Sequence, residues 1–239
     1  MRVVLTVVLL VGLILGVLRL GRVRVGSAPV TAVARGALQL AVVGFALGGV
    51  FAAPWATVLV LVVMLGTASW TASRRLAGLD GAGRAVVVSC VAGAAAALSV
   101  VFATGVLPFS ARYLVAAGGI VIGGTMTGAT LAGRGLLQGI RARRAEIEAW
   151  LALGATPREA VRDVARSAAG EALVPAMDQT RTTGVVTLPG AFIGALLGGA
   201  SPLEAARFQL VVLVALLAAQ TVVAVLVTHL LGAPSPVPE

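Results

Sequence analysis

The chain is 239 residues long, 59% of them hydrophobic and 11% charged, with a mean hydropathy of +1.05. A soluble domain carries about 25% charged residues, so this composition excludes a soluble globular fold and makes lipid the solvent. Eighteen basic residues against nine acidic ones give a net charge of +9, but they stand in clusters between apolar runs, which is the pattern of a positive-inside membrane protein and excludes a nucleic-acid-binding face.

All eighteen bases are arginine. Without lysine there is no phosphate-binding P-loop, whose lysine must reach the terminal phosphates. The chain therefore cannot split ATP by that route and reads as a non-enzyme. One cysteine, Cys90, allows no internal disulfide, and the single histidine and four scattered methionines form no metal motif. No cofactor is implied.

A membrane span needs about 20 apolar residues, and seven runs qualify. The first, Val3–Leu18, is followed by Arg19, Arg22 and Arg24 instead of a small-residue cleavage site, so it reads as a retained anchor. The second, Pro29–Phe51, carries Arg35 and Gln39 on one helical face. Ala53–Ala72, Ala85–Leu107 and Tyr113–Gly133 follow, with small-xxx-small pairs such as Gly119/Gly123 and Gly124/Gly128 that let helices approach closely.

Next comes the one sizeable polar segment, about 139–171, which reads as a helical hairpin. Ile147, Trp150 and Leu151 share an apolar face, and Gly154 suits the left-handed position that ends a helix. Thr156, Pro157 and Glu159 then form a capping box with proline at the first helical position, so a second helix starts at once. Such a hairpin either lies on the membrane surface or docks a partner, with Trp150 as the anchor.

The sixth run, Leu173–Gly199, holds Asp178 and Arg181 and is interrupted by Pro189-Gly190. An ionisable residue near the middle of a lone helix costs about 2.5–3.5 kcal/mol or more, so Arg35, Asp178 and Arg181 need partners or a wet path. As one helix of 27 residues this run would be roughly 40 Å long against a core of about 30 Å. A break at Pro189-Gly190 is expected, as a hinge near the outer leaflet. Ser201-Pro202-x-Glu204 repeats the capping pattern and starts the seventh run, Phe208–Leu231; residues 232–239 are expected to be a disordered tail. With the N-terminus outside and the C-terminus cytoplasmic, thirteen loop arginines fall inside and three (Arg2, Arg112 and Arg207) outside.

The stretch E-A-W-L-A-L-G, Glu148 to Gly154, resembles the EAA-x-x-x-G coupling loop of ABC transporter permeases, with Trp150 in place of the second alanine. The later Leu-Pro of the common importers is absent from its place, where Arg166 and Ser167 stand. The chain resembles instead the iron-export (Fet-type) ABC permeases of bacteria and their plant relatives linked to aluminium tolerance. That likeness is carried by RGALQLAVVG (35–44), ASW (68–70), LALGATPREA (151–160), LVPAMDQTRTTGVVTLPG (173–190) and GGASPLEAARFQ (198–209). Where the family has Met-Ile-x-Gly-Asn-x-Met, this chain has VIGGTMTG (121–128), with Gly124 at the asparagine position.

The resemblance implies an all-α polytopic permease of about seven spans, one domain over 1–231, in the plasma membrane. It implies a homodimer served by separate ABC ATP-binding subunits and surrounded by membrane lipid, exporting iron or another metal. Coupling to the ATPase then falls to Glu148, Ala149, Trp150, Gly154, Thr156 and Pro157, the path to Arg35, Gln39, Asp178 and Arg181, and the hinge to Pro189 and Gly190. Met126, Met177 and Asp178 are too few and too dispersed to choose a metal. An ion-coupled secondary carrier would favour buried acids in repeated halves, and the chain has no inverted repeat. A non-transporting subunit relaying ATPase motion would need a large outer domain, and the outer loops are short.

Overall fold

The structure, a computed structural model, describes residues 2–50 and 54–233. The expected span boundaries at Phe51 and Ala53 and the tail from residue 234 lie outside the described residues. Every element among those described is helical, with one isolated bridge between Thr183 and Thr187. The chain forms two units, Met1–Pro54 and Trp55–Glu239.

In the first unit α1 (Arg2–Leu20) and α2 (Ala28–Val50) pack as a pair. Their connection turns through two left-handed residues, Arg22 at φ 52° and Gly26 at φ 57°. No residue of α1 is buried within this unit.

The second unit holds α3 (Pro54–Arg75) from its second residue on, α4 (Ala82–Ala103), α5 (Ala111–Ala142), α6 (Arg144–Ala152), α7 (Pro157–Thr182), α8 (Gly190–Leu197) and α9 (Pro202–Leu231). Lipid tails are as apolar as leucine, so close packing and not water-driven burial must hold such helices together. Glycine notches provide it. On α5, Leu61 of α3 and Leu76 just after it fill the space that Cβ atoms would take at Gly118 and Gly133, and Leu216 of α9 fills it at Gly124. Val164 and Ala168 of α7 sit against Gly139 and Gly135, and on α4 the notch at Gly93 takes Val223 and the Ala219 backbone of α9. Around these contacts Val86, Leu136, Ile140, Val161, Val223 and Val227 are fully buried.

The same contacts give the direction of each helix. Tyr113 stacks edge-on against Phe208 at 5.8 Å, and Gly124 and Gly128 meet Leu216 and Gln220, so α5 and α9 run parallel. Gly135 and Gly139 meet Ala168 and Val164, so α7 runs back against α5.

Among the described residues six helical segments are long and apolar enough to cross a membrane: Arg2–Leu20, Ala28–Phe45, Trp55–Arg75, Ala82–Ala103, Ala111–Ala142 and Pro202–Leu231. These account for six of the seven expected spans. The sixth run differs. Its first half belongs to α7, which starts at Pro157 and continues the hairpin's second helix without interruption. No residue between Glu159 and Thr182 stops a helix, and Pro175 is accommodated inside it. The hairpin therefore has no boundary at 171. Because α5 and α9 are parallel, α7 and α8 together carry the chain back between them, as a broken return.

Candidate functional site

Arg143 ends α5 and turns the chain into α6. Its guanidinium bonds the Glu146 carboxylate at 2.5 and 2.7 Å, and Arg144 pairs with Glu148 at 2.8 Å. The Arg143 pairing holds the Glu146 carboxyl below the usual carboxylate range. Ile147, 2% exposed, and half-buried Leu151 anchor α6 to the core with Val161 and Val164. Trp150 parts from them: at 52% exposure it faces outward beside Leu153, which is 81% exposed. The expected single apolar face is thus split between core and surface.

The corner after α6 is closed twice. Gly154 takes φ 92°, its N–H donates to the Leu151 carbonyl, and the Ala155 N–H donates to the Trp150 carbonyl, each at 3.0 Å. This is a Schellman stop, which needs a residue at positive φ. Thr156 then caps α7: Glu159 accepts from the Thr156 N–H at 2.8 Å and from its hydroxyl at 2.7 Å, and Pro157 fills the first turn. Those bonds, the hydroxyl's foremost, hold the Glu159 carboxyl below its ordinary value. Glu148, Ala149, Trp150, Gly154, Thr156 and Pro157 are thereby gathered on one small projection. A cavity of about 560 Å³ opens beside it, lined by Trp150, Leu153, Glu159, Arg162 and Asp163 among others.

Asp178 and Arg181 lie in the last turns of α7, which begins sixteen residues before Leu173. They pair with each other at 3.6 Å, their side chains 60% and 73% exposed. Together with Gln179 they form a polar, exposed strip that the unit's own core does not cover. Arg35 and Gln39 are exposed on α2, in the other unit.

The break in the sixth run is earlier and wider than expected. α7 stops at Thr182, where the Thr182 and Thr183 hydroxyls donate back to the Asp178 and Gln179 carbonyls at 2.8 and 2.7 Å. Gly184 then turns at φ 89°. The Thr182 carbonyl accepts from Val186 at 2.9 Å and from Val185 and Thr187 at 3.3 Å, and the Gly184 N–H donates to Thr187 at 2.8 Å. The non-helical segment thus satisfies much of its own backbone, as buried or lipid-level backbone must. Pro189 and Gly190 do not break a helix; Pro189 caps α8 and Gly190 begins it. The readable signal was Thr-Thr-Gly, a helix stop that the apolar run concealed. A cavity of about 360 Å³ lies between this segment and α9, lined by Thr180, Thr183, Leu188, Pro189, Phe192 and Gln209 among others. The Gln209 side-chain oxygen is buried without a hydrogen-bond partner.

Met126 packs into the core, and among the described residues no three His, Cys, Asp or Glu side chains converge on a metal-sized site.

Residues 1–233 match the family described as Uncharacterised protein family (UPF0014). UPF0014 membrane protein STAR2 of Oryza sativa subsp. japonica is 37% identical over 202 residues, 83% of this chain and 70% of that protein. Protein ALUMINUM SENSITIVE 3 of Arabidopsis thaliana is 34% identical, over 83% of this chain and 73% of its own length. Probable iron export permease protein FetB of Escherichia coli (strain K12) is 28% identical, over 83% of this chain and 77% of its own length. No solved structure matches the chain.

Proposed function

This chain belongs to the uncharacterised protein family UPF0014, and on that footing we propose that it is the membrane permease subunit of an ABC exporter. In this reading two copies form a homodimer in the plasma membrane, with N-termini outside and C-termini cytoplasmic. Separate ATP-binding subunits hydrolyse ATP and dock on the α6–α7 corner. Residues 1–231 act as one permease domain, and the cargo is iron or another metal, a reading supported by the name of the Escherichia coli relative.

The observation that carries the proposal is the corner itself. It presents Trp150 and Leu153 to the outside on a turn stiffened from both sides, while Ile147 ties it to the core. The chain's own core leaves both side chains uncovered, which supports a partner seated on them. Arg35, Gln39, Asp178 and Arg181 contribute the polar lining of the path, and the break after α7 forms the outer gate.

Co-purification with candidate ATP-binding subunits, followed by cargo-stimulated hydrolysis in lipid vesicles, tests this. Gly154→Val places a β-branched residue at positive φ, and Glu148→Arg reverses a charge on the projection. Both variants are expected to insert normally and to lose the ATPase subunit. Undiminished binding and transport by both would refute the assignment.

A further inference from the structure

A second concavity lies on the other flank of α7, between its first turns and the end of α9. It has a volume of about 550 Å³. Arg158, Arg162 and Arg166 stand along its rim, spaced i, i+4, i+8 and so on one helical face, with His229 opposite on α9. Ala165, Ala169 and Val225 make its apolar floor. We propose that this cavity binds the headgroup of an anionic phospholipid, with the acyl chains running along the exposed side of α9.

Three features support the assignment. The first is location: α9 is an apolar span that ends at Leu231, so a cavity reaching from Val225 to Gly232 sits at the membrane boundary. The second is charge. Three guanidinium groups face one carboxylate, Glu159, and that carboxylate is committed to the Thr156 cap. Arg166 reaches Asp163 only at 3.9 Å, and among the described residues Arg158 and Arg162 form no ion pair. Guanidinium groups bind phosphate oxygens in a bidentate manner, and basic pockets between spans at the membrane boundary suit anionic headgroups. The third is the floor. Free inorganic phosphate has no use for an apolar wall, whereas the glycerol and upper acyl carbons of a lipid do. A zwitterionic headgroup would bring its own cation against the arginine row. The inference needs only the membrane boundary and does not depend on the ATPase reading.

The full chain, purified in a neutral detergent and mixed with phosphatidylglycerol or phosphatidylcholine, can be examined by native mass spectrometry for retained lipid. Phosphatidylglycerol is expected to remain bound and phosphatidylcholine to wash off. Arg158→Gln/Arg162→Gln should lower retention roughly tenfold or more, as loss of two charge-assisted bonds requires. The control Arg74→Gln/Arg75→Gln, an arginine pair outside the cavity lining, should retain lipid as the parent does. If the double variant fails to fold, Val225→Trp provides the test from the half-exposed floor: it blocks the acyl chains and should also lower retention. Equal retention by the folded double variant or by Val225→Trp overturns the proposal. So does equal binding of phosphatidylcholine, or displacement by millimolar inorganic phosphate, which would make the ligand free phosphate.

Discussion

At Gly93 two helices meet with no room for a methyl group. A Cβ there would lie 2.6 Å from the Val223 side chain and 2.7 Å from the Ala219 carbonyl oxygen, and a backbone oxygen cannot swing aside. Gly93→Ala should therefore destabilise the bundle by about 1–3 kcal/mol, the cost of overpacking a filled site, measured as a lower denaturation midpoint in detergent. Gly124 is a softer case. Its Cβ would meet the Leu216 Cδ1 atom at 2.0 Å, but that atom ends a flexible side chain. Gly124→Asn should cost stability that Leu216→Ala partly returns. Glu159 makes a different kind of prediction. Its folded-state pKa lies below the ordinary value near 4.5, so its cap contributes stability above that pH and loses it as pH falls through the lowered value. Acidification below about pH 4.5 should loosen the first turn of α7, seen as faster amide exchange at 157–160. Glu159→Gln, which still caps as an amide, should abolish that dependence.

Between Thr182 and Gly190 the chain leaves the helix because of its residues, not its length. Gly184 at φ 89° and two threonines bonded to their own helix end α7, while Pro189 only opens α8. Replacing Pro189 and Gly190 with alanine should thus leave the break in place, and spin labels at 177 and 193 should report an unchanged distance. Gly184→Ala should cost about 1 kcal/mol, since a Cβ is strained at that φ. Sequence made some of this architecture legible. Both capping boxes and the left-handed Gly154 follow from side-chain chemistry within six residues, which any reader of the chain can inspect. The end of α7 escaped because a hydropathy window over 173–199 averages Thr-Thr-Gly into its apolar neighbours. The fusion of hairpin and return helix escaped because a change from charged to apolar composition looks like a boundary, yet no breaker stands there. Which notch on α5 receives which helix depends on tertiary contacts alone, and the regular glycine spacing could not assign them.

Over the second unit, parallel α5 and α9 demand a return between them, and this has a direct test. Cys90 is buried and is the chain's one cysteine, so Cys90→Ala gives a clean background. Leu153→Cys and Leu197→Cys, both at highly exposed positions, should react with an impermeant maleimide from opposite sides of the membrane. Labelling of both from one side would mean that α7 and α8 do not carry the chain across. The two corners that bound this return are built alike: Gly154-Ala-Thr-Pro-x-Glu before α7 and Gly199-Ala-Ser-Pro-x-Glu before α9. Each pairs a glycine at φ 92° with a complete capping box. Each of these corners joins two helices directly, whereas the segment from 183 to 189 turns back on the Thr182 carbonyl and belongs to no helix. If an ATPase docks at the Trp150 corner as proposed, a tilt imposed there would have to travel the whole length of α7 before it met the non-helical segment that ends that helix.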